Sequence, residues 1–127
     1  MSENVDRYKA NVVHRNKTSG KTQWHKTISE DGERVIWMCG HEKAWGNEQK
    51  IFSLKLIEES PKCLDSEEFL NIACFVSSLN EWHGWPGNVK RSAKDLPPYS
   101  VLQKWEELKY TTRAKNMKLK RFQASSI

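Results

Sequence analysis

The sequence predicts an α+β fold, and a change in its apolar pattern leads to this prediction. Through residues 7–57 apolar and polar side chains mostly alternate, which is typical of half-buried strands. After Pro61 the apolar side chains recur at spacings of three and four, which is typical of helices. We therefore expect a four-stranded, mainly antiparallel meander over residues 7–57. A buried helix at 65–83 packs on it, and a second amphipathic helix at 98–118 follows with a basic tail.

Turn signals separate the expected strands. Residues 16–20 end in a glycine, which tolerates a positive φ. Asp31 and Gly32 form a dipeptide that is a strong signal of a β-hairpin. The third strand is apolar on both faces, as expected at the centre of a sheet, and a polar loop at 40–49 follows it. We place the four strands at residues 8–13, 22–28, 35–39 and 51–57.

Two helices are expected after the sheet. Asp65 stands three residues before Glu68, which is the spacing of a capping box at a helix start. The apolar stripe that follows widens until the helix is apolar almost all round, so we expect it to be buried. Gly84, Pro86 and Gly87 are expected to end it. The second helix carries its apolar stripe at Val101, Leu102, Trp105 and Leu108.

The length and the cysteines bound the class of protein. A chain of 127 residues suffices for one domain with its own core, which we place at residues 1–122, with a disordered end at 123–127. Cys39, Cys63 and Cys74 are an odd number in irregular spacing, so we expect free thiols in a reducing compartment. The N-terminus lacks the pattern of a secretory signal, and no apolar run is long enough for a membrane span. We expect a cytoplasmic protein without a membrane partner.

The charge is concentrated at the two ends of the chain. Residues 7–29 carry six basic side chains and no acidic one, and residues 109–127 do the same. The part between them, residues 30–108, carries nine basic and fourteen acidic side chains. Blocks of one sign favour a partner of the opposite sign, such as nucleic acid or an acidic protein face. Without a partner, both blocks would be solvated surface.

Two short patterns resemble parts of functional motifs without completing them. Gly20, Lys21 and Thr22 match the end of a phosphate-binding loop, but the first glycine of that loop is missing and strand residues follow, so we interpret the stretch as a hairpin turn. Cys39 and His41 form one ligand pair, whereas structural zinc sites use two. We therefore predict no metal and no cofactor.

The residue types of a metal-dependent nuclease are also present. Asp31, Glu48 and Lys50 could supply carboxylates and a lysine, although nothing in the sequence places them together. His83 stands between two tryptophans but has no evident acid, base or metal partner in the sequence. No catalytic signature results, and we predict that the protein is not an enzyme.

Tryptophan is the unusual component of this chain, with six residues. Trp24, Trp37 and Trp105 fall on faces that we expect to be buried. Trp45 and Trp85 lie in glycine-rich stretches, where an exposed indole could stack on a base or anchor a protein interface. Either residue could equally fold back on the core.

We predict a small binding protein that contacts the backbone of DNA or RNA through a basic N-terminal hairpin, residues 7–26, and a basic C-terminal helix, residues 109–121. One alternative is a protein-interaction module, such as a regulator or inhibitor of a larger enzyme, of viral or mobile-element origin. The other is the nuclease or a further small hydrolase. The oligomeric state stays open. The expected contact residues are Lys17, Lys21, Lys26, Trp45, Trp85, Lys90, Arg91, Tyr110, Arg113, Lys115, Lys118, Lys120 and Arg121.

Overall fold

A computed structural model describes residues 7–127. It contains three helices, a three-stranded antiparallel sheet and a two-stranded ribbon. The predicted α+β class is therefore confirmed, although most elements lie elsewhere than expected. In chain order the elements are α1 (Glu30–Glu42), β1 (Lys50–Ser53), β2 (Leu56–Ile57), β3 (Ser60–Pro61), β4 (Ala73–Ser78), β5 (Glu81–Pro86), α2 (Tyr99–Glu107) and α3 (Arg113–Lys120). The strands of the sheet lie in the order β1-β4-β5, and β2 pairs with β3 in the ribbon.

Residues 7–29 do not form the first hairpin of a meander. Their first residues run along the edge of β5, where the Lys9 amide donates to the Trp82 carbonyl at 2.8 Å, and Trp24 later pairs with Asp65. A short 3-10 turn at Val12–His14 follows, and Gly20 has a φ of 79° in a turn that no paired strands flank. The alternation in this segment was misleading because its apolar side chains pack individually onto a sheet formed by later residues. We call residues 7–29 the N-terminal strap.

The third predicted strand is the middle of helix α1. Ser29 caps this helix, since its hydroxyl accepts from the Gly32 amide at 3.0 Å. Asp31 and Gly32 therefore lie in the first turn of this helix. The hairpin predicted at these two residues is wrong. A wholly apolar run does not distinguish a strand from a buried helix by its period. The buried positions do show helical spacing: Glu33, Ile36, Trp37 and Gly40.

The predicted buried helix at 65–83 is also wrong. Its apolar centre forms strand β4, buried on both faces, and β5 pairs with it antiparallel. Leu79 and Asn80 connect the two strands, and both have positive φ values of 52° and 66°, as a type I′ turn requires. The Asp65 carboxylate does accept backbone N–H groups of Glu67 and Glu68, each at 2.9 Å, but it closes a turn without a helix.

The sheet separates two hydrophobic clusters. Cross-strand partners share a face, so Phe52, Cys74 and Trp85 lie on one side, where α2 and α3 cover them. Ile51 and Phe75 lie on the other side, against α1 and the N-terminal strap. Each face of the central strand β4 is thus packed by helical residues, which explains its continuous apolar sequence.

The second predicted helix is two helices. The helix is interrupted at residues 108–112. Lys109 has a φ of 67° there, and the Thr112 side chain caps α3 by accepting a hydrogen bond from the Lys115 amide at 3.2 Å. Residues 123–127 were expected to be disordered. Instead Ile127 is buried, and its amide donates to the Asn71 side chain at 3.0 Å.

One buried carboxylate connects the N-terminal strap to α1. Glu33 is fully buried, and one of its oxygens accepts from the Tyr8 hydroxyl at 2.5 Å. Its other oxygen pairs with Arg15, whose guanidinium also donates to the Ile28 carbonyl at 2.7 Å. Burial raises the pKa of Glu33, while both partners favour its ionised form. The strap is therefore held through charge-assisted hydrogen bonds as well as through packing.

The helices within residues 7–127 are all too short or too polar for any of them to cross a membrane.

Candidate functional site

A polar groove lies beside β5, where the N-terminal strap, the strand and residues 88–95 meet. Its volume is about 410 Å³. The basic, aromatic and imidazole side chains that line it come from all three segments: His14, Lys21, His83, Trp85, Arg91 and Lys94. We call this cavity the β5 groove.

The partly exposed indole of Trp85 lines the β5 groove and is held by a hydrogen bond to Asp95. Asp95, which is buried, accepts from the Trp85 Nε1 through Oδ1 at 3.1 Å and from the Asn88 amide through Oδ2 at 2.8 Å. Both carboxylate oxygens are therefore engaged within the protein. The one acidic side chain of the groove thus supports Trp85 and offers no free oxygen for a cation.

His14 covers part of Trp85. Their ring centroids are 5.7 Å apart with an angle of 18° between the planes, which is a stacked arrangement. The His14 Nδ1 lies 2.8 Å from the Thr22 carbonyl. A carbonyl only accepts, so Nδ1 carries the proton and Nε2 holds the lone pair of the neutral ring. Burial lowers the pKa of His14, and the charges of Lys21 and His83 act in the same direction.

His83 is half-buried on β5, opposite Val76 of β4. Its ring centroid is 6.5 Å from that of Trp85, with the planes at 40°. A further cavity of about 350 Å³ shares His83 and Asn11 with the β5 groove. The two together continue along the edge of the sheet and meet at His83.

The β5 groove has an excess of positive charge. Lys21, Arg91 and Lys94 are all exposed at its rim. Arg91 lies 3.8 Å from the Glu68 carboxylate, an exposed pair that solvent weakens. Within residues 7–127 ion pairs involve only Arg15, Arg91 and Lys104, so Lys21 and Lys94 have no carboxylate partner there. An anion is the ligand that this arrangement favours.

The predicted contact residues are divided among several places. Lys21, Trp85 and Arg91 come together in the β5 groove. Lys17 and Lys26 lie exposed elsewhere on the N-terminal strap, and Lys90 is exposed beside Ser125. The exposed cations of the C-terminal region lie on or directly beside α3: Arg113, Lys115, Lys118, Lys120 and Arg121.

A second groove, of about 520 Å³, separates α2 from α3. Arg113, Lys120 and Arg121 line it together with Glu106. The Lys120 ammonium lies 4.4 Å from the centre of the Tyr99 ring, which partly satisfies its charge. Three basic side chains and one acidic side chain line each of the two grooves, and the β5 groove differs in adding two histidines and a tryptophan.

Of two further predicted stacking residues, Trp45 belongs to the core and Tyr110 is partly exposed and packs against it. Trp45 is only 2% exposed and packs edge-on against Trp105, so it is inaccessible to a ligand. Tyr110 packs edge-on against Trp45, and its hydroxyl donates to Glu59 at 3.3 Å. Aromatic side chains in a loop were drawn inward because large apolar area is worth most when buried.

Three residues of the β5 groove were not predicted from the sequence. His14, Lys94 and Asp95 carry no local signal that would assign them to a binding site. The groove is assembled from segments about 70 residues apart in the chain, so only tertiary structure brings His14 to His83.

Among residues 7–127 no group of three histidine, cysteine or acidic side chains is placed to hold a metal ion. The chain matches no protein-family model, and comparisons with curated proteins and with solved structures find no match either.

Proposed function

We propose that the protein binds the backbone of single-stranded nucleic acid in the β5 groove. The convergence of Lys21, Arg91 and Lys94 around a partly exposed indole supports this proposal above all. Cations held at a groove attract phosphates, and the part of the Trp85 indole that His14 leaves uncovered can contact a sugar or a base of any sequence. The carboxylate of Asp95 is buried and is engaged by Trp85 and Asn88, and the three basic side chains of the groove outnumber it.

Two of these cations allow a sharp test. We would measure the affinity for labelled 20-nucleotide RNA and DNA by fluorescence anisotropy between about 50 and 200 mM salt. Affinity should fall steeply as salt rises, since each phosphate contact releases counterions. The double variant Lys21→Ala/Lys94→Ala should bind more weakly and reduce the salt slope by about 1.4, which is two contacts at about 0.7 each.

The control is a second double variant that loses the same charge outside the β5 groove. Lys43→Ala/Lys62→Ala removes two exposed lysines that do not line the β5 groove. It should leave the salt slope close to that of the wild type. Equal slopes for the two double variants would reject the groove as the binding site, and no binding at the lowest salt would reject the function.

A protein-interaction module is the second candidate, and one observation favours it. Leu79 is 95% exposed at the tip of the β4–β5 hairpin and has a φ of 52°. A left-handed conformation costs a leucine about 1 kcal/mol, and Asn or Gly would fit the turn better. An apolar side chain kept there at that cost suits an anchor in a partner's pocket.

Leu79→Asn separates this candidate from the first. The variant should retain the fold and nucleic-acid binding, while a purified protein partner, found by cross-linking through residue 79, should lose affinity by tenfold or more. Unchanged affinity of such a partner would remove Leu79 from the interface.

A further inference from the structure

Two histidines line the β5 groove, one from the N-terminal strap and one from strand β5. His14 and His83 line the same cavity, and each ring lies within 6.5 Å of the Trp85 ring. The charge of His83 also acts on His14. Imidazole is the side chain best suited to exchange a proton near neutral pH, so a pair of them in a basic groove has a chemical use.

His14 has the tautomer of a general base. Its Nδ1–H is held by the Thr22 carbonyl at 2.8 Å, and its ring stacks on Trp85. Nε2 therefore keeps its lone pair in a defined position. Lys21 and His83 near the ring favour its neutral form and Asp95 opposes them, and burial makes the neutral form the dominant one at pH 7.

His83 complements His14. It is half-buried on the rigid strand β5, at the point where the β5 groove continues along the sheet edge. Lys21, Arg91 and Lys94 surround the space near both rings. A phosphate bound by these cations would have a proton acceptor at His14 and a proton donor at a protonated His83.

We propose that His14 and His83 act as the general base and general acid of an RNA-cleaving transesterification in the β5 groove. The proposal rests on the proposed nucleic-acid binding and commits it to RNA. It requires a 2′-hydroxyl, which DNA lacks, as the nucleophile.

The step balances without a co-reactant. His14 Nε2 takes the proton of the ribose 2′-hydroxyl, and the 2′-oxygen forms a bond to the adjacent phosphorus. The bond from phosphorus to the 5′-oxygen breaks, and that oxygen takes a proton from His83. The products are a 2′,3′-cyclic phosphate and a 5′-hydroxyl. Lys21, Arg91 and Lys94 stabilise the charge that develops on the phosphoryl oxygens. Proton exchange with water restores both rings.

The test uses the full chain, a labelled 20-nucleotide RNA and its DNA counterpart. Wild-type protein should cleave the RNA to products that mass spectrometry identifies as 2′,3′-cyclic phosphate and 5′-hydroxyl ends. An RNA with a single 2′-deoxy position should resist cleavage at that position. The rate should show a bell-shaped dependence on pH, because one imidazole must be neutral and the other protonated.

The variants are chosen to preserve the fold. His14→Asn keeps a nitrogen that can donate to Thr22 but loses the lone pair of Nε2, and His83→Gln retains size and polarity. Each should lower the cleavage rate by about 10²- to 10⁴-fold. His14→Asn should also remove the acidic limb of the pH profile. His25→Gln is the matched control, because His25 lies on the same strap but does not line the groove.

Binding is measured in parallel with uncleavable 2′-O-methyl RNA, which both variants should still bind. Salt-dependent binding without cleavage by the wild type would overturn the cleavage proposal and leave the binding function standing. Absence of binding would overturn both. Cleavage of DNA, or cleavage that persists in both histidine variants purified in the same way, would overturn the assignment of His14 and His83.

Discussion

The imidazole of His14 stacks on the indole of Trp85, with 5.7 Å between the ring centroids. Trp85 is in turn held by Asp95 at 3.1 Å, so a residue of the N-terminal strap rests on a rigid part of the sheet. This stack connects the N-terminal strap to strand β5, which both line the β5 groove. Any change that separates the rings should open the groove and displace the Nε2 of His14.

Stability should depend on the protonation of His14. Its folded-state pKa is lowered from 6.5, chiefly by burial, so the unfolded chain binds the proton more readily. The corresponding stability is fully present above about pH 6.5 and is lost as the pH falls through the lowered folded value. Urea denaturation at pH 5, 6, 7 and 8 should show a decline on the acid side that is shallower in His14→Asn.

Glu33 contributes the opposite sign in the same experiment. Its folded-state pKa is raised above 4.5, chiefly by burial, so its contribution is present below that pH and is lost as the pH rises. This contribution is common to both proteins and cancels in the comparison. Identical pH profiles of stability for the wild type and His14→Asn would contradict the assignment of the acid-side decline to His14. His25→Gln serves as the control and should keep the wild-type profile.

Tyr8→Phe should lower the free energy of unfolding by about 1–3 kcal/mol, because it removes a donor from the fully buried carboxylate of Glu33. The lost hydroxyl makes little change in volume, so the effect reports the hydrogen bond. Urea denaturation measures it. Tyr99→Phe is the control, because Tyr99 is 63% exposed and the Lys120 contact needs only its ring. Equal stabilities of the two variants would exclude Glu33 as the anchor of the strap.

Gly84→Ala should be among the most destabilising single-methyl additions in the chain. Phe75 lies opposite Gly84 in β4, and a Cβ at residue 84 would stand 2.2 Å from the Phe75 Cδ1 atom. Such overpacking of a core costs about 1–3 kcal/mol or more. Gly20→Ala provides the comparison, because it has open space but a φ of 79° and should cost about 1 kcal/mol. A smaller loss for Gly84→Ala in thermal or urea denaturation would show that Phe75 can move aside.

Whether α3 extends the binding surface can be decided by Lys115→Ala/Lys118→Ala. Both lysines are exposed, and within residues 7–127 neither forms an ion pair. If α3 contacts phosphate, the salt slope of RNA binding should fall by up to about 1.4, as for two lost contacts. A slope equal to that of Lys43→Ala/Lys62→Ala would assign binding to the β5 groove alone.

The elements that sequence predicted correctly are those with one clear amphipathic period. Val101, Leu102 and Trp105 are buried on one side of α2 as their spacing indicated. The run around Ile36 and Trp37 failed, because its helical face includes a buried glutamate and a glycine that no apolar pattern reveals. Strand β4 failed for the opposite reason, since burial on both faces removes the period altogether.

The site was predictable only in part. His83, Trp85 and Arg91 lie close together in sequence and were noticed there, although in the setting of a helix end that is in fact strand β5. The partner of His83 comes from the N-terminal strap, and its position depends on Glu33 and on the edge of β5. Contacts between such distant segments leave no local pattern in a single sequence.

Of the six tryptophans, five are buried and only Trp85 is partly exposed. The surroundings of the Trp85 indole therefore change when a ligand occupies the β5 groove. The other five indoles are buried and stay shielded from solvent. The emission of Trp85 should respond to ligands and to the charge of the ring stacked on it, while the buried indoles remain constant. Natural fluorescence thus offers a probe of this one groove that needs no label.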